Sequence, residues 1–179
     1  MARRWLYYLI PALAAAALVG LAFIPRFAQD PAYHDFADQR TLWGVPNALN
    51  VLSNLPFVLF GLYGLVVLWR SPKDESFQPP WERRAFYVLF ACVALTGVGS
   101  MYYHAQPGND TLYWDRLPLT VVFMAFFCLV LADRLNPRAG PWLFVPLVLL
   151  GVGSVTFWHW TEQRGAGDVR WYAFVQFFP

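Results

Sequence analysis

A serine, a histidine and an aspartate lie close together at the edges of two strongly apolar segments. Ser100 and His104 are four residues apart, and Asp115 follows eleven residues after the histidine. Residues i and i+4 share one face of a helix, so the hydroxyl and the imidazole can point into the same space. A carboxylate at the start of the next helix could reach that space as well. Such a group could bind a metal or transfer protons.

The composition indicates a protein that cannot cover itself with polar surface. Of the 179 residues, 58% are hydrophobic and 13% are charged, whereas a soluble domain carries about 25% charged residues. We therefore predict an integral membrane protein. The chain contains no basic patch of the kind that nucleic acid binding needs, so nucleic acid is excluded as a partner.

The apolar residues fall into segments long enough to be membrane helices. A helix needs about 20 apolar residues to cross about 30 Å of hydrocarbon. The predicted fold class is all-α, a polytopic transmembrane bundle of five full membrane helices plus the start of a sixth. The sixth begins near Trp171 and stops at Pro179, so we expect a fragment that further helices once followed. The five full segments are residues 5–24, 47–69, 85–103, 117–132 and 141–160.

The order of these segments predicts the domain organisation and the orientation. Residues 1–25 would form an uncleaved anchor helix, 26–46 an outer-face loop and 47–179 the transmembrane core. More of the basic residues fall on the side that includes Arg3 and Arg4, which predicts a cytoplasmic amino terminus. Loops 26–46, 104–116 and 161–170 would then lie outside. All three histidines, His34, His104 and His159, would lie at that outer face.

A second group of polar residues opens the predicted second helix. Asn47, Asn50 and Asn54 are spaced three and four apart, and Ser53 lies at the edge of the stripe that they form. The stripe could make hydrogen bonds between helices. It could instead support a site, with Asn47 near the mouth as a metal ligand.

Carboxylates and oxygen donors are also frequent in the preceding loop. Asp35 and Asp38, together with Asn47, could supply the oxygen ligands that calcium prefers. The spacing is not that of an EF-hand, and an ordinary solvated loop is the favoured interpretation.

Each member of the first group also has an ordinary structural interpretation. Ser100 could be a small packing residue, His104 a partly hydrated interfacial side chain, and Asp115 a helix cap before Pro118. His159 fits an aromatic belt at the membrane interface, and His34 is the weakest candidate of all. Cys92 and Cys128 fit small buried apolar residues rather than a disulfide or metal motif.

The motif Ser-x-x-x-His, followed by Asp-x-Leu-Pro at Asp115–Pro118, resembles the alkaline ceramidase family. That family belongs to a group of seven-helix membrane hydrolases and related receptors. Asn-x-x-Ser-Asn at residues 50–54 is similar to the start of its first core helix. The amino-terminal helix, Asp-Gln-Arg-Thr-Leu-Trp-Gly and the later Gly-Asp-Val-Arg resemble a bacterial branch, which implies the bacterial inner membrane. The resemblance covers about residues 33–179.

The resemblance implies a zinc-dependent lipid amidase. His104 would be one of three zinc histidines, but the H-x-x-x-H pair that supplies the other two is missing from this sequence. Asp115 would take a proton from the attacking water and pass it to the leaving amine. Ser100 would donate a hydrogen bond to the oxyanion. The resemblance leaves the calcium site open, and the zinc site is expected to be incomplete in this chain.

Two alternatives remain open on the sequence. The chain could be a non-catalytic receptor or structural membrane protein of the same fold. It could also be a zinc hydrolase that acts on another lipid amide or on a lipid ester. The expected partners are a lipid amide substrate and membrane lipids, and the sequence does not indicate an oligomeric state.

Overall fold

The structure, a computed structural model, describes residues 5–72 and 80–178. These residues form seven helices and one 3₁₀ turn, Pro31–His34, and contain no strand beyond an isolated bridge between Leu42 and Val45. Arg3, Arg4, Lys73 and Pro179, which enter the predictions of orientation and segments, lie outside the described ranges. The helices are α1 Leu6–Phe23, α2 Ala48–Leu52, α3 Leu55–Arg70, α4 Trp81–Ala105, α5 Asn109–Arg134, α6 Gly140–Gln163 and α7 Arg170–Phe177.

Four segments of the described chain are long and apolar enough to cross a membrane. They are Ala48–Arg70, which combines α2 and α3, and the helices α4, α5 and α6. This fits an integral, multi-pass membrane protein and confirms the all-α fold class. Among the described residues the structure has four such spans where the sequence predicted five, because the described part of the first segment supplies only a shorter apolar helix, Tyr8–Phe23. Ile24 is extended before Pro25, as residues preceding proline prefer, and this ends α1.

The second predicted helix is interrupted near its start. Ser53 and Asn54 form a turn between α2 and α3, and Pro56 lies in the first turn of α3, where its missing N–H costs nothing. Asn47 lies before α2 in the left-handed region, with φ of 47°. The predicted stripe required the three asparagines to lie in one continuous helix. In the structure they do not.

The predicted outer loop 104–116 is instead a tight turn over residues 106–108. α4 continues through His104 to Ala105, and α5 begins at Asn109. The Thr111 hydroxyl donates to the carbonyl oxygens of Gln106 and Gly108, at 2.6 and 3.0 Å, and so satisfies backbone groups of the turn. Asp115 consequently lies inside α5 and does not cap it.

The helices pack in chain order around α4 and α5. α4 contacts α3 on one side and α5 on the other, α5 contacts α6, and α7 joins α6 and α1. A Cβ atom at Gly61 of α3 would lie 2.4 Å from the backbone nitrogen of Ala94 in α4, so only glycine permits this approach. At the end of the bundle near the 106–108 turn, one apolar cluster holds α4 to α7 together. Its buried members are Tyr103, Leu112, Val155, Trp158 and Tyr172.

Candidate active site

Ser100 and Asp115 face each other across the contact between α4 and α5. The Ser100 hydroxyl lies close enough to the Asp115 carboxylate to interact with it. Ser100 is buried, at 7% exposure, and Asp115 is half-buried. The structure therefore brings together the two residues that the sequence predicts to act on water and on the oxyanion.

Backbone contact at Gly99 makes this approach possible. A Cβ atom there would lie 2.2 Å from the Trp114 carbonyl oxygen and 3.2 Å from the Asp115 Cα. That oxygen has no helical partner four residues later, because Pro118 lies inside α5 and lacks an N–H. The α4 backbone thus packs on a carbonyl that its own helix leaves unpaired, next to the Ser100–Asp115 pair.

His104 lies one helical turn beyond Ser100, towards the 106–108 turn. Its ring packs against Phe36 of the outer loop, with ring centroids 4.7 Å apart, and against Tyr103. The Nδ1 atom is buried and has no hydrogen-bond partner among the described residues. An imidazole nitrogen in this condition is chemically suited to metal ligation, which agrees with the role predicted for His104.

The described residues do not assemble a complete metal centre around that imidazole. Among them, no group of three or more His, Cys, Asp or Glu side chains is placed to hold a metal ion. The described residues therefore do not form the expected three-histidine zinc site.

The asparagines of the predicted stripe make hydrogen bonds with carbonyl oxygens. Asn47 Nδ2 donates to the His104 carbonyl oxygen at 2.8 Å, which ties the start of α2 to the end of α4. Asn50 Nδ2 donates to the Asp38 carbonyl oxygen at 2.8 Å. Asn54 Nδ2 and the Ser53 hydroxyl both donate to the Asn50 carbonyl oxygen. Asn47 thus makes a hydrogen bond to another helix, as one of the two interpretations of the stripe predicted.

The residues proposed for calcium have other partners in the structure. Arg40 pairs with both oxygens of Asp38, at 2.8 and 3.0 Å, and this hydrogen-bonded guanidinium lowers the pKa of the Asp38 carboxyl. Asp35 accepts a hydrogen bond from Gln39 Nε2 at 2.5 Å. With Asn47 bonded to α4, the described contacts join none of the three to another, and the calcium site stays a prediction.

Arg116 is a feature of the site that the sequence did not reveal. Its side chain is buried at 6% exposure, and its guanidinium lies 4.5 Å from the Trp158 ring and 4.4 Å from the Tyr172 ring. Nη2 donates to Gln29 Oε1 at 2.8 Å. An aromatic cage from α6 and α7 thus holds a cation beside Asp115. In the sequence, the aromatic residues near the end of α6 and the start of α7 were the only sign of this cage.

The other two histidines are held by neighbours from several elements. His34 Nδ1 lies 3.0 Å from the Tyr103 hydroxyl, and His34 Nε2 lies 3.0 Å from Asn109 Oδ1. The His159 ring stacks on Tyr113 with centroids 4.6 Å apart. Neither contact joins His34 or His159 to His104 as a ligand set.

A groove of about 590 Å³ is lined by residues of α4, α5 and α6. Ser100, His104 and Asp115 do not line it, so it is separate from the candidate site. The contact between Gly99 and Trp114 lies between the groove and the candidate site. The groove is lined by Cys92, Leu95, Val98, Gly99, Tyr102, Trp114, Leu117, Pro118, Val121 and Val152.

Comparison with known proteins decides the family. The family model described as Ceramidase matches residues 43–178, which includes Ser100, His104 and Asp115. The chain belongs to the ceramidase family. A search of curated proteins and a search of solved structures gave no match.

Membership of the ceramidase family supports a hydrolase that acts on the amide bond of ceramide, and hence a lipid amide substrate. It does not favour the receptor alternative. The family resemblance on which the site residues were chosen is confirmed.

Proposed function

We propose that this ceramidase-family chain is a membrane-embedded hydrolase that cleaves the amide bond of a ceramide-like lipid with Ser100, His104 and Asp115. The observation that carries the proposal is the close approach of α4 and α5 at Gly99, which places Ser100 beside Asp115 between two helices apolar enough to span a membrane. The family match supports the lipid amide as the substrate class.

The residues divide the reaction between them. The Asp115 carboxylate accepts the proton of the attacking water as the new C–O bond forms, and gives it to the amine nitrogen as the C–N bond breaks. Ser100 donates a hydrogen bond from its hydroxyl to the oxygen on which negative charge develops. Removing one such donor costs about 10²–10³ in turnover in other acyl-transfer enzymes. The products are a fatty acid and a sphingoid amine.

Zinc is the metal that we propose for this reaction, with His104 as one ligand. Support comes from the family resemblance and from the unpartnered, buried Nδ1 of His104. The two further ligands that such a centre needs are not supplied by the described residues. We also propose a cytoplasmic amino terminus and a site near the outer face, as the distribution of basic residues favours.

The decisive experiment is turnover of a ceramide by the protein reconstituted in lipid nanodiscs. Asp115→Asn keeps the shape of the side chain and removes the base, so we expect activity to fall at least about 10²-fold. Asp110→Asn is the matched control, because Asp110 is exposed in the first turn of the same helix. Equal activities of these two variants would contradict the proposed role of Asp115.

Metal analysis of the purified protein tests zinc separately. Where two further ligands complete the site, we expect bound zinc and its loss in His104→Ala, with His159→Ala unchanged. If the wild-type protein hydrolysed ceramide without zinc, the proposed zinc dependence would be wrong. The proposed amidase function would be unaffected.

A further inference from the structure

His34 occupies a position between the two helices that carry the candidate site. One ring nitrogen reaches the Tyr103 hydroxyl on α4, and the other reaches Asn109 Oδ1 in the first turn of α5, each at 3.0 Å. The residue itself belongs to the outer loop, in the 3₁₀ turn Pro31–His34. A single imidazole therefore bridges both sides of the 106–108 turn from a third element.

The two bonded residues are close to the residues proposed to react. Tyr103 is adjacent to His104, and it is almost fully buried at 2% exposure. Asn109 lies in α5 less than two turns before Asp115. A change in the separation of Tyr103 and Asn109 thus changes where the imidazole of His104 lies relative to the carboxylate of Asp115.

Further hydrogen bonds fix the partners of His34. Asn109 Nδ2 faces Glu162 Oε2 at 3.5 Å, so its Oδ1 points to the histidine. Glu162 Oε1 accepts from the Gln29 backbone N–H at 2.6 Å and from Trp158 Nε1 at 3.1 Å. The loop is therefore bonded to α4, α5 and α6 around the same turn.

The loop also places a ring on the candidate metal ligand. Phe36, two residues after His34, packs on the His104 ring at 4.7 Å and edge-on against Tyr103 at 5.6 Å. From the other side, Asn47 donates to the His104 carbonyl oxygen. The orientation of His104 thus depends on how the loop is held, and the His34 side chain bonds the loop to both helices.

We propose that His34 is a positioning residue: it holds the adjoining ends of α4 and α5 in register and so sets the geometry of His104 and Asp115. The effect on catalysis rests on the function proposed above. A neutral imidazole offers one donor and one acceptor, which suits the acceptor Asn109 Oδ1 and the hydroxyl of Tyr103. Glutamine also offers both, whereas alanine offers neither.

Hydrogen exchange measured by mass spectrometry in nanodiscs tests the bridge without any assay of activity. Losing two hydrogen bonds of about 1 kcal/mol each should speed local opening about tenfold or more. For His34→Ala we expect that increase both in residues 31–36 and in residues 105–112. His34→Gln should stay within about threefold of the wild type, and so should His159→Ala at the same face. An increase confined to 31–36, or an equal increase in His159→Ala, would overturn the proposal.

Kinetics test the consequence for the reaction. Misplacement of catalytic groups by about 1 Å costs about 10²-fold, so His34→Ala should lower kcat about 10- to 100-fold with KM within about threefold. His34→Gln should recover most of kcat. A loss confined to KM, or no loss, would overturn the positioning role. If the wild type did not hydrolyse ceramide, the proposed function would be overturned instead. The hydrogen-exchange result would still show whether His34 bridges α4 and α5.

A milder variant keeps the test valid if His34→Ala does not fold. Tyr103→Phe removes one hydroxyl and leaves the ring in the apolar cluster. This hydroxyl contacts both His34 Nδ1 and the Tyr33 carbonyl oxygen. We therefore expect faster exchange in both segments here too, by about fivefold or more. Exchange equal to the wild type in residues 105–112 would count against the bridge.

Discussion

A Cβ atom on Gly99 would lie 2.2 Å from the carbonyl oxygen of Trp114. The two helices that carry Ser100 and Asp115 therefore meet backbone to backbone. This close approach lets a short serine side chain reach a carboxylate on the neighbouring helix, where a larger gap would need a longer side chain or a bridging water.

Gly99→Ala should separate these helices, because the clash is with backbone atoms that cannot rotate away. We expect a loss of about 1–3 kcal/mol in stability, as for overpacked cores, together with a fall in ceramide turnover. Thermal denaturation in detergent and the nanodisc assay measure the two effects. Gly153→Ala on α6 is the control, since nothing lies within 4 Å of a Cβ atom there. Equal melting temperatures of Gly99→Ala and the wild type would refute the expectation.

Asn47 combines an unusual backbone conformation with a hydrogen bond to α4. Asn47→Gly keeps the positive φ of 47° accessible but loses the bond to the His104 carbonyl oxygen. Asn47→Ala loses the bond and also strains the backbone, so it should be less stable than Asn47→Gly by about 1 kcal/mol. Both should lower turnover, because the end of α4 is released. Asn50→Ala, which loses a bond to the loop alone, should change stability and leave turnover nearly unchanged.

Arg116→Lys tests the aromatic cage. Lysine keeps the charge but loses the planar stack on Trp158 and Tyr172, and it cannot reproduce the guanidinium geometry. We expect a loss of about 2 kcal/mol, the value for desolvated cation–π contacts. Arg164→Lys is a strict comparison, since its guanidinium lies even closer to a ring, 4.0 Å from Trp160, but is exposed. A larger effect at Arg164 would show that distance, rather than burial, determines the energy.

Asp168 should make stability depend on pH in the acid range. Arg170 donates to both of its carboxylate oxygens, at 2.8 and 2.7 Å, and this lowers the pKa of the buried carboxyl. A group whose folded pKa is lowered stabilises the fold above its unfolded pKa, about 3.9. That stability is lost as pH falls through the folded pKa.

Asp168→Asn should therefore melt below the wild type at pH 7, and the difference should shrink below about pH 4. Melting curves of both proteins between pH 2.5 and 7 measure it. Asp38→Asn is the comparison, because Asp38 also has a lowered pKa but pairs with an exposed arginine. A constant difference between Asp168→Asn and wild type across this range would argue against the ion pair as the cause.

Local patterns in the sequence predicted the helices and the residues that define the family. Ser100 and His104 share one helix, and their spacing made that prediction secure. The same reasoning failed at Pro118, where a proline suggested a helix start. α5 begins earlier, because Thr111 bonds the turn and the proline is tolerated within the helix.

Contacts between distant residues account for what the sequence did not predict. By its position in the sequence, Arg116 was an ordinary charged residue of the predicted loop 104–116. Its aromatic cage comes from α6 and α7, which lie further along the chain. His34 was the weakest histidine by position, yet it is bonded to two helices that are 69 and 75 residues further along the chain. Periodicity reports which face of a helix is apolar and does not report which distant side chains meet there.

The bonds between Arg170 and α1 have a consequence for biosynthesis. Arg170 Nη1 donates to the carbonyl oxygens of Leu21 and Ile24, at 3.2 and 2.5 Å, across nearly the whole chain. These carbonyls belong to the end of α1, and their partner follows α6 in the chain. Arg170 is translated after α4, α5 and α6, so its bonds to α1 can form only once those helices have been made. The contact between α1 and α7 is therefore a late event in biosynthesis.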